Sequence, residues 1–194
     1  MIPIRTERLL IRNWQDRDRP LFHRINCDPQ VMEFFPFRRD REASDALLDI
    51  LRQNIADRGF GFCALERLEG GDCIGFAGLS LVSGIPGLPA DSVEIGWRLA
   101  PEFWGKGYVT EAAYAWLYYG FSELGLKEIV SFAVRTNKRS IAVMQRIGMT
   151  HYPEEDFDHP AVPDTHPALK PHVLYRISYE TWRRQRSNRG VNPS

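Results

Sequence analysis

The 194-residue chain has only three cysteines, Cys27, Cys63 and Cys73, widely spaced and without a C-x-x-C pair. Such an odd, scattered set builds no disulfide framework; it fits buried thiols in a reducing compartment, and a cytoplasmic location is expected. The chain also lacks an excess of either charge, since 25 Lys and Arg balance 25 Asp and Glu. A duplex-binding module needs a basic footprint, so no nucleic-acid partner is expected. No run reaches the ~18 apolar residues of a membrane helix. The opening MIPIRTERLLIRNW carries Arg and Glu where a signal peptide needs an unbroken apolar core, and no membrane partner is expected. Internal repeats and low-complexity tracts are absent as well. What remains is a chain 43% hydrophobic and 12% aromatic, enough for the core of one domain.

Hydrophobic spacing orders the elements. Arg8–Trp14 is short, apolar and branched, and reads as a strand. A short helix follows, with Asp16 or Asp18 near its start and Pro20 in its first turn. Leu47, Leu48, Leu51 and Ile55 recur at helical spacing between Asp40, a cap, and Gly59, a stop. The runs GFCALERL and CIGFAGLSLV, joined by Glu69-Gly70-Gly71-Asp72, read as a hairpin. SVEIGWRL is another strand, and the Ala/aromatic helix after it is stopped by Gly125. EIVSFAV is a strand, TNKRSIAVMQRIG a capped helix ended by Gly148, and HVLYRISYETW a last strand passing into a short helix. This order predicts an α/β fold (α+β by stricter counting), a mixed sheet with helices on both faces. One domain is expected over 4–184, with 185–194 a flexible tail. Tyr114, Trp116, Tyr118 and Tyr119 read as core or as an interface; a monomer or a homodimer is expected.

The most informative stretch is a strand feeding the loop APEFWGKG at a helix N-terminus. Orphan amides and the helix dipole make such a junction an anion site, and Gly105 and Gly107 let the backbone approach a phosphate. The dinucleotide pattern G-x-G-x-x-G fails at Thr110, and the triphosphate loop G-x-x-x-x-G-K-[ST] fails outright. A plain turn stays open as the alternative.

EIGWRLAPEFWGKGYVTEA, followed by VRTNKRSIAVMQRIGM, resembles the GNAT superfamily of acyl-coenzyme A N-acyltransferases, nearest its ribosomal-protein (RimJ/RimL-like) branch. The resemblance runs from about Ile4 to Trp182. It implies a mostly antiparallel sheet of six to seven strands and acetyl-CoA as co-substrate. The family's [Q/R]-x-x-G-x-[G/A] pyrophosphate loop is matched by Glu102-Phe103-Trp104-Gly105-Lys106-Gly107, with Glu102 departing from the pattern. By resemblance, the amides of Trp104, Gly105, Lys106, Gly107, Tyr108 and Val109 hold the phosphates, and Thr110 adds its hydroxyl. Lys106 contributes a positive charge or is a solvated surface lysine. The strand end Trp97-Arg98-Leu99 is implied to pair with the pantetheine arm, with an N–H near Leu99 polarising the thioester carbonyl. Asn137 and Ser140 match the family's N-x-x-S beside the pantetheine, while Asn137 also reads as a helix cap.

Transfer to an amine sets a chemical demand. An alkyl ammonium of pKa ~10.4 is about one part in a thousand neutral near pH 7.4, which forfeits ~4 kcal/mol. Glu94, mid-strand between Val93 and Ile95, is the candidate base; ordinary alternation on a solvent face is the other reading. The leaving thiolate, of pKa ~8.5, needs less help. Ser140 is the candidate acid by resemblance, with Tyr152 or Tyr175 behind it.

His151–Val173 holds four of the five histidines, five acids and five prolines. The spacing of His159, His166 and His172 with Asp156, Asp158 and Asp164 matches no zinc pattern, and no metal is expected. The segment reads as a Pro-stiffened loop that pairs its acids with its own His, Lys170 and nearby Arg residues and walls the acceptor side together with Phe34, Phe35 and Phe37. An acidic, aromatic mouth would favour a cationic amine or peptide. The expected activity is acetyl transfer from acetyl-CoA to a primary amine of a small molecule, peptide or protein N-terminus, by direct attack in a ternary complex. A catalytically silent acyl-CoA-binding or sensing module and a metal-dependent hydrolase are the rivals.

Overall fold

The structure, a computed structural model, describes residues 2–188. Nine strands form one sheet: β1 Ile4–Arg5, β2 Leu9–Arg12, β3 Phe62–Arg67, β4 Cys73–Leu81, β5 Val93–Leu99, β6 Glu128–Val134, β7 Thr150–His151, β8 Phe157–Asp158 and β9 Pro171–Ser178. Their order is β1-β2-β3-β4-β5-β6-β9-β7, with β8 also on β9. Every pairing is antiparallel except β5 with β6. The count exceeds the expected six to seven because β1, β7 and β8 have two residues each. A pair of residues carries no alternation to read.

Five helices flank the sheet: α1 Arg19–Cys27, α2 Arg41–Arg58, α3 Tyr108–Tyr118, α4 Lys138–Arg146 and α5 Tyr179–Asn188. Strand alternation sends neighbouring β4 residues to opposite faces. Phe76 meets Phe22 of α1 at 6.1 Å between ring centroids. Leu79, of the other parity, packs beside Gly120, which follows α3. Helices therefore cover both faces.

Local chemistry sets the ends. The Asp40 carboxylate accepts from the Ala43 N–H at 2.8 Å, and Gly59 closes α2 at φ 75°. The β3–β4 turn uses Gly70 and Gly71 at φ 85° and 70°. After α3 the helix widens into a π-turn over Tyr119–Glu123 before Gly125. Trp116 and Tyr119 are core, while Tyr118 is exposed. Beneath the β2 end, Arg12 reaches Asp18 at 2.7 Å and Glu66 at 2.7 Å, all three nearly enclosed. The expected tail begins too early. Residues 185–188 complete α5, and the Gln185 amide donates to the Gly148 carbonyl at 3.0 Å; residues 189–194 lie outside the described residues.

Candidate active site

The sheet opens along β5. Toward β4 this strand is registered throughout, from Val93 opposite Leu81 to Leu99 opposite Gly75. Toward β6 the register is the single pair Glu94–Val130. The Ser131 hydroxyl then donates to the Ile95 carbonyl at 2.9 Å, and beyond it the strands part. Backbone direction alternates along a strand. The Val82 N–H reaches the Ser92 carbonyl and the Ala100 N–H the Ile74 carbonyl, so even-numbered residues of β5 bond β4. Ile95, Trp97 and Leu99 turn their groups to the gap. The Leu99 carbonyl accepts from the Trp104 indole at 2.8 Å. The N–H and carbonyl of Trp97 and the N–H of Leu99 face a cleft of about 990 Å³, without a strand partner among the described residues. Arg98 turns its backbone to β4. Of the expected Trp97-Arg98-Leu99 segment, only the outer two offer backbone groups to a ligand.

The glycine loop closes one end of this cleft. Gly105 and Gly107 stand at φ 73° and 81°. Gly107 caps α3 without a side chain, and the first helical bond runs from the Glu111 N–H to the Gly107 carbonyl. The N–H groups of Tyr108, Val109 and Thr110 are therefore orphans at the positive end of the helix. A Cβ built on Gly105 meets nothing within 4 Å, so the loop's face is open. That is a fit for a pyrophosphate. Trp104, Gly105, Gly107, Tyr108, Val109 and Thr110 all line the cleft. Lys106 does not: its carbonyl accepts from Arg8 at 3.0 Å, and its ammonium sits 5.7 Å from the Phe103 ring centre. Glu102 is paired with Arg24 of α1 at 2.6 Å, which holds its carboxyl below the usual range. Glu111 braces the loop from behind. Despite desolvation, hydrogen bonds from Thr6 and Arg8 keep its carboxyl low.

The N-terminus of α4 faces this loop across the cleft. The Asn137 side chain accepts from the Ser140 N–H at 3.1 Å, which makes it the cap. Asn137 and Ser140 both line the cleft, and the Ser140 hydroxyl has no hydrogen-bond partner among the described residues. Arg139, between them, carries no role in the sequence motifs. In the fold it lies 4.5 Å from the Trp104 ring centre and 2.9 Å from Glu33, joining α4 to the glycine loop and to the turn after α1.

The other wall belongs to β5's even residues. Glu94, Gly96 and Arg98 stand opposite Ser80, Gly78 and Phe76, hence on the α1 face. Phe34 and Phe35 line the cleft here; Phe37 is 44% exposed and packs behind Phe35. Glu94 also lines the cleft, and burial raises its carboxyl to about 7. It has no hydrogen-bond or ion-pair partner among the described residues. A solvent-face position is thereby excluded.

Two expected acids stand elsewhere. Tyr175 is buried and stacked on His151 at 4.9 Å, its hydroxyl accepting from Gln145. Tyr152 is on the surface, outside the cleft lining. The acidic mouth is also corrected. Asp156 is tied to His151 and Arg135, Glu155 to Arg176 and Asp164 to Lys170. No acid of the 151–173 segment lines the cleft; it contributes His159 and His172, whose rings lie 4.8 Å apart. Burial lowers both imidazoles below their ordinary range. The described residues bring together no group of three His, Cys, Asp or Glu that could hold a metal.

An opened sheet, a glycine-led helix start with orphan amides and a second, Asn-capped helix start facing it thus line one cleft, and comparison with known proteins gives the class of protein that carries it. Residues 8–150 match the model described as Acetyltransferase (GNAT) domain. The FsC-acetyl coenzyme A-N(2)-transacetylase of Aspergillus fumigatus is 31% identical over 166 residues, covering 83% of this chain and 69% of that one. The uncharacterized N-acetyltransferase YnaD of Bacillus subtilis is 33% identical over 146 residues, covering 75% of this chain and 81% of that one. A GNAT-family acetyltransferase structure from Bacillus anthracis superposes with TM-score 0.75 at 26% identity, covering 91% and 98%. The chain belongs to the GNAT acetyltransferases. It is an acetyl-CoA-dependent acetyltransferase. Among the described residues no helix is long and apolar enough to cross a membrane.

Proposed function

We propose that this enzyme is an N-acetyltransferase in which Glu94 is the general base for a primary amine attacking acetyl-CoA directly, in a ternary complex. The observation that carries the reading is the place of Glu94: an unpaired carboxyl, raised to about 7, at the last registered pair before β5 and β6 part. A base titrating near neutrality accepts a proton from an ammonium through one water and releases it again near pH 7. A backbone N–H on the Trp97–Leu99 edge, that of Trp97 being the nearer to Glu94, is the donor for charge developing on the thioester oxygen. The Ser140 hydroxyl is the proton donor for the departing sulfur. Asn137 and the amides from Trp104 to Thr110 position the cofactor, whose thioester supplies the acyl group. The motif EIGWRLAPEFWGKGYVTEA supports a place in the ribosomal-protein branch, without fixing the acceptor. Three unpaired thiols, with Cys73 raised to about 12 by burial, support work in the reducing cytosol.

The test is release of the CoA thiol across a panel of amines, with the N-acetylated product confirmed by mass. Thiol release that requires the amine and yields its acetamide supports the reading. Tight acetyl-CoA binding with no release across the panel favours a silent binding module instead.

A further inference from the structure

Four arginines line the cleft: Arg8, Arg98, Arg139 and Arg146. Arg8 is neutralised by Glu111 and Arg139 by Glu33. Arg146, on the cofactor side, reaches the Thr110 hydroxyl. Arg98 is different. Its guanidinium is set deep on the acceptor side, and no carboxylate lies within ion-pair distance among the described residues. Its partners are the Asn26 side-chain oxygen and the faces of Phe35, 4.3 Å away, and Phe76, 5.4 Å away. Desolvation, and after it the like charge of Arg39, lower the guanidinium to about 10.

A partly buried guanidinium lining a cleft and held by one neutral acceptor and two rings is a costly structural choice. Asn26 satisfies one of five donors. The fork is built for a bidentate oxyanion, and a carboxylate is its usual partner. Glu94 is not that partner. Burial raises its carboxyl, and no hydrogen bond or ion pair joins it to Arg98 among the described residues. The two stand four residues apart on one face of β5, about 13 Å between Cα atoms at ~3.3 Å per residue. One strand face thus presents two uncompensated groups of opposite character, an acid at one end and a fixed cation at the other.

Resting on the amine-acetylating reading above, we infer that the acceptor is a zwitterion, a primary amine bearing a carboxylate, with the amine directed to Glu94 and the carboxylate bound by the Arg98 side chain. Phe35 and Phe76 hold the guanidinium plane in place, and the acceptor's carbon chain lies along the aromatic wall. Arg98 is in this role an acceptor-binding residue, separate from the backbone of Trp97 and Leu99.

The test uses ω-amino acids of increasing chain length beside their carboxamides, in which the two ends are far enough apart for amidation to leave the amine pKa nearly unchanged. Rates are read as CoA thiol release by the full-length enzyme. The expected result is a kcat/KM for at least one acid ~10–100-fold above its amide, the range for one charge-assisted contact. In Arg98→Gln this ratio falls to near one, carried by KM; in Arg98→Lys it is partly kept. Calorimetric acetyl-CoA binding by both variants shows that the fold survives. Amides acetylated as fast as acids, with the ratio unmoved in Arg98→Gln, overturn the carboxylate assignment and leave amine acetylation standing. Thiol release with no amine of either series, nor with simple alkylamines, overturns both.

Discussion

Arg24 of α1 and Glu102 of the glycine loop form an ion pair 2.6 Å long, at the position where the family pattern places Gln or Arg. The departure in the motif is thus met by an arginine from another element. Both side chains are about half exposed, so the pair itself is worth little in water. The anion cradle then rests on backbone amides, and the first prediction follows from that division.

Replacing Gly105 by Val is expected to weaken acetyl-CoA binding more than Lys106→Ala. Valine at φ 73° is strained, and its branches occupy the open face that a phosphate needs. Lys106 stands outside the cleft lining, and its exposed charge is screened by salt. Isothermal titration with acetyl-CoA gives the order; a larger loss in Lys106→Ala would show that charge, not backbone, holds the phosphates.

For Glu94→Gln, the ratio of wild-type to variant kcat/KM should pass through a maximum. It rises up to about pH 7 as the wild-type carboxyl ionises. It shrinks again toward pH ~10, where free amine is abundant and a base is unnecessary. The peak should be near the lower end of ~10²–10⁴, since bulk water relieves part of the loss. A ratio near one from pH 6.5 to 9.5 would remove Glu94 from the chemistry.

The same carboxyl makes a prediction about stability. Its folded pKa of about 7 lies above its ordinary value of 4.5, so the folded state holds the extra proton between those pH values. Stability contributed by the neutral acid is complete below the lower value and lost as pH rises through the upper one. Glu94→Gln keeps a neutral side chain throughout. Its melting temperature should match wild type near pH 4 and exceed it at pH 8; equal melting at both would mean that ionisation costs nothing there.

Ser140→Ala should lower kcat modestly and leave acetyl-CoA affinity nearly intact. The cap bond uses the Ser140 backbone N–H and survives the change. Affinity lost with turnover unchanged would recast the hydroxyl as a binding contact.

Asp18→Ala tests the polar cluster under β2. It strands a guanidinium that Asp18 and Glu66 hold well above its usual range, and breaking one side of such a buried pair costs ~3–5 kcal/mol. Urea unfolding should show this loss; a change below ~1 kcal/mol would mean that Glu66 alone suffices.

The long elements were legible because periodicity is a local property. Asp40, Gly59 and the 69–72 turn act through bonds a few residues long, and they stand where the sequence places them. Glu94 stood out because a lone acid between Val93 and Ile95 conflicts with its neighbours. The conflict between Arg98 and its surroundings was invisible: an arginine two residues from a loop looks solvated until Phe35, Phe76 and Arg39 are folded around it. The acids of 151–173 were half legible. Composition predicts that they pair with the segment's own His, Lys170 and nearby Arg residues, as His151, Arg135, Lys170 and Arg176 do; it also makes them a charged mouth, and that pairing, completed when β9 brings the segment back on itself, keeps them out of the cleft.

The parting of β5 from β6 also bears on how the chain avoids its own kind. Unpaired N–H and carbonyl groups on a strand invite any passing strand to add itself, which is why sheets end in charge, bulges or cover. Here the exposed rungs are in the middle of the sheet. The loop before α3 and the start of α4 stand over them, with Arg139 spanning the two. A second protein strand, with side chains on both faces, meets a recess roofed by helices. A narrow chain carrying amides can slide in and complete the ladder. On the reading proposed above, the geometry that admits a thioester arm also shields the opened sheet from a second strand.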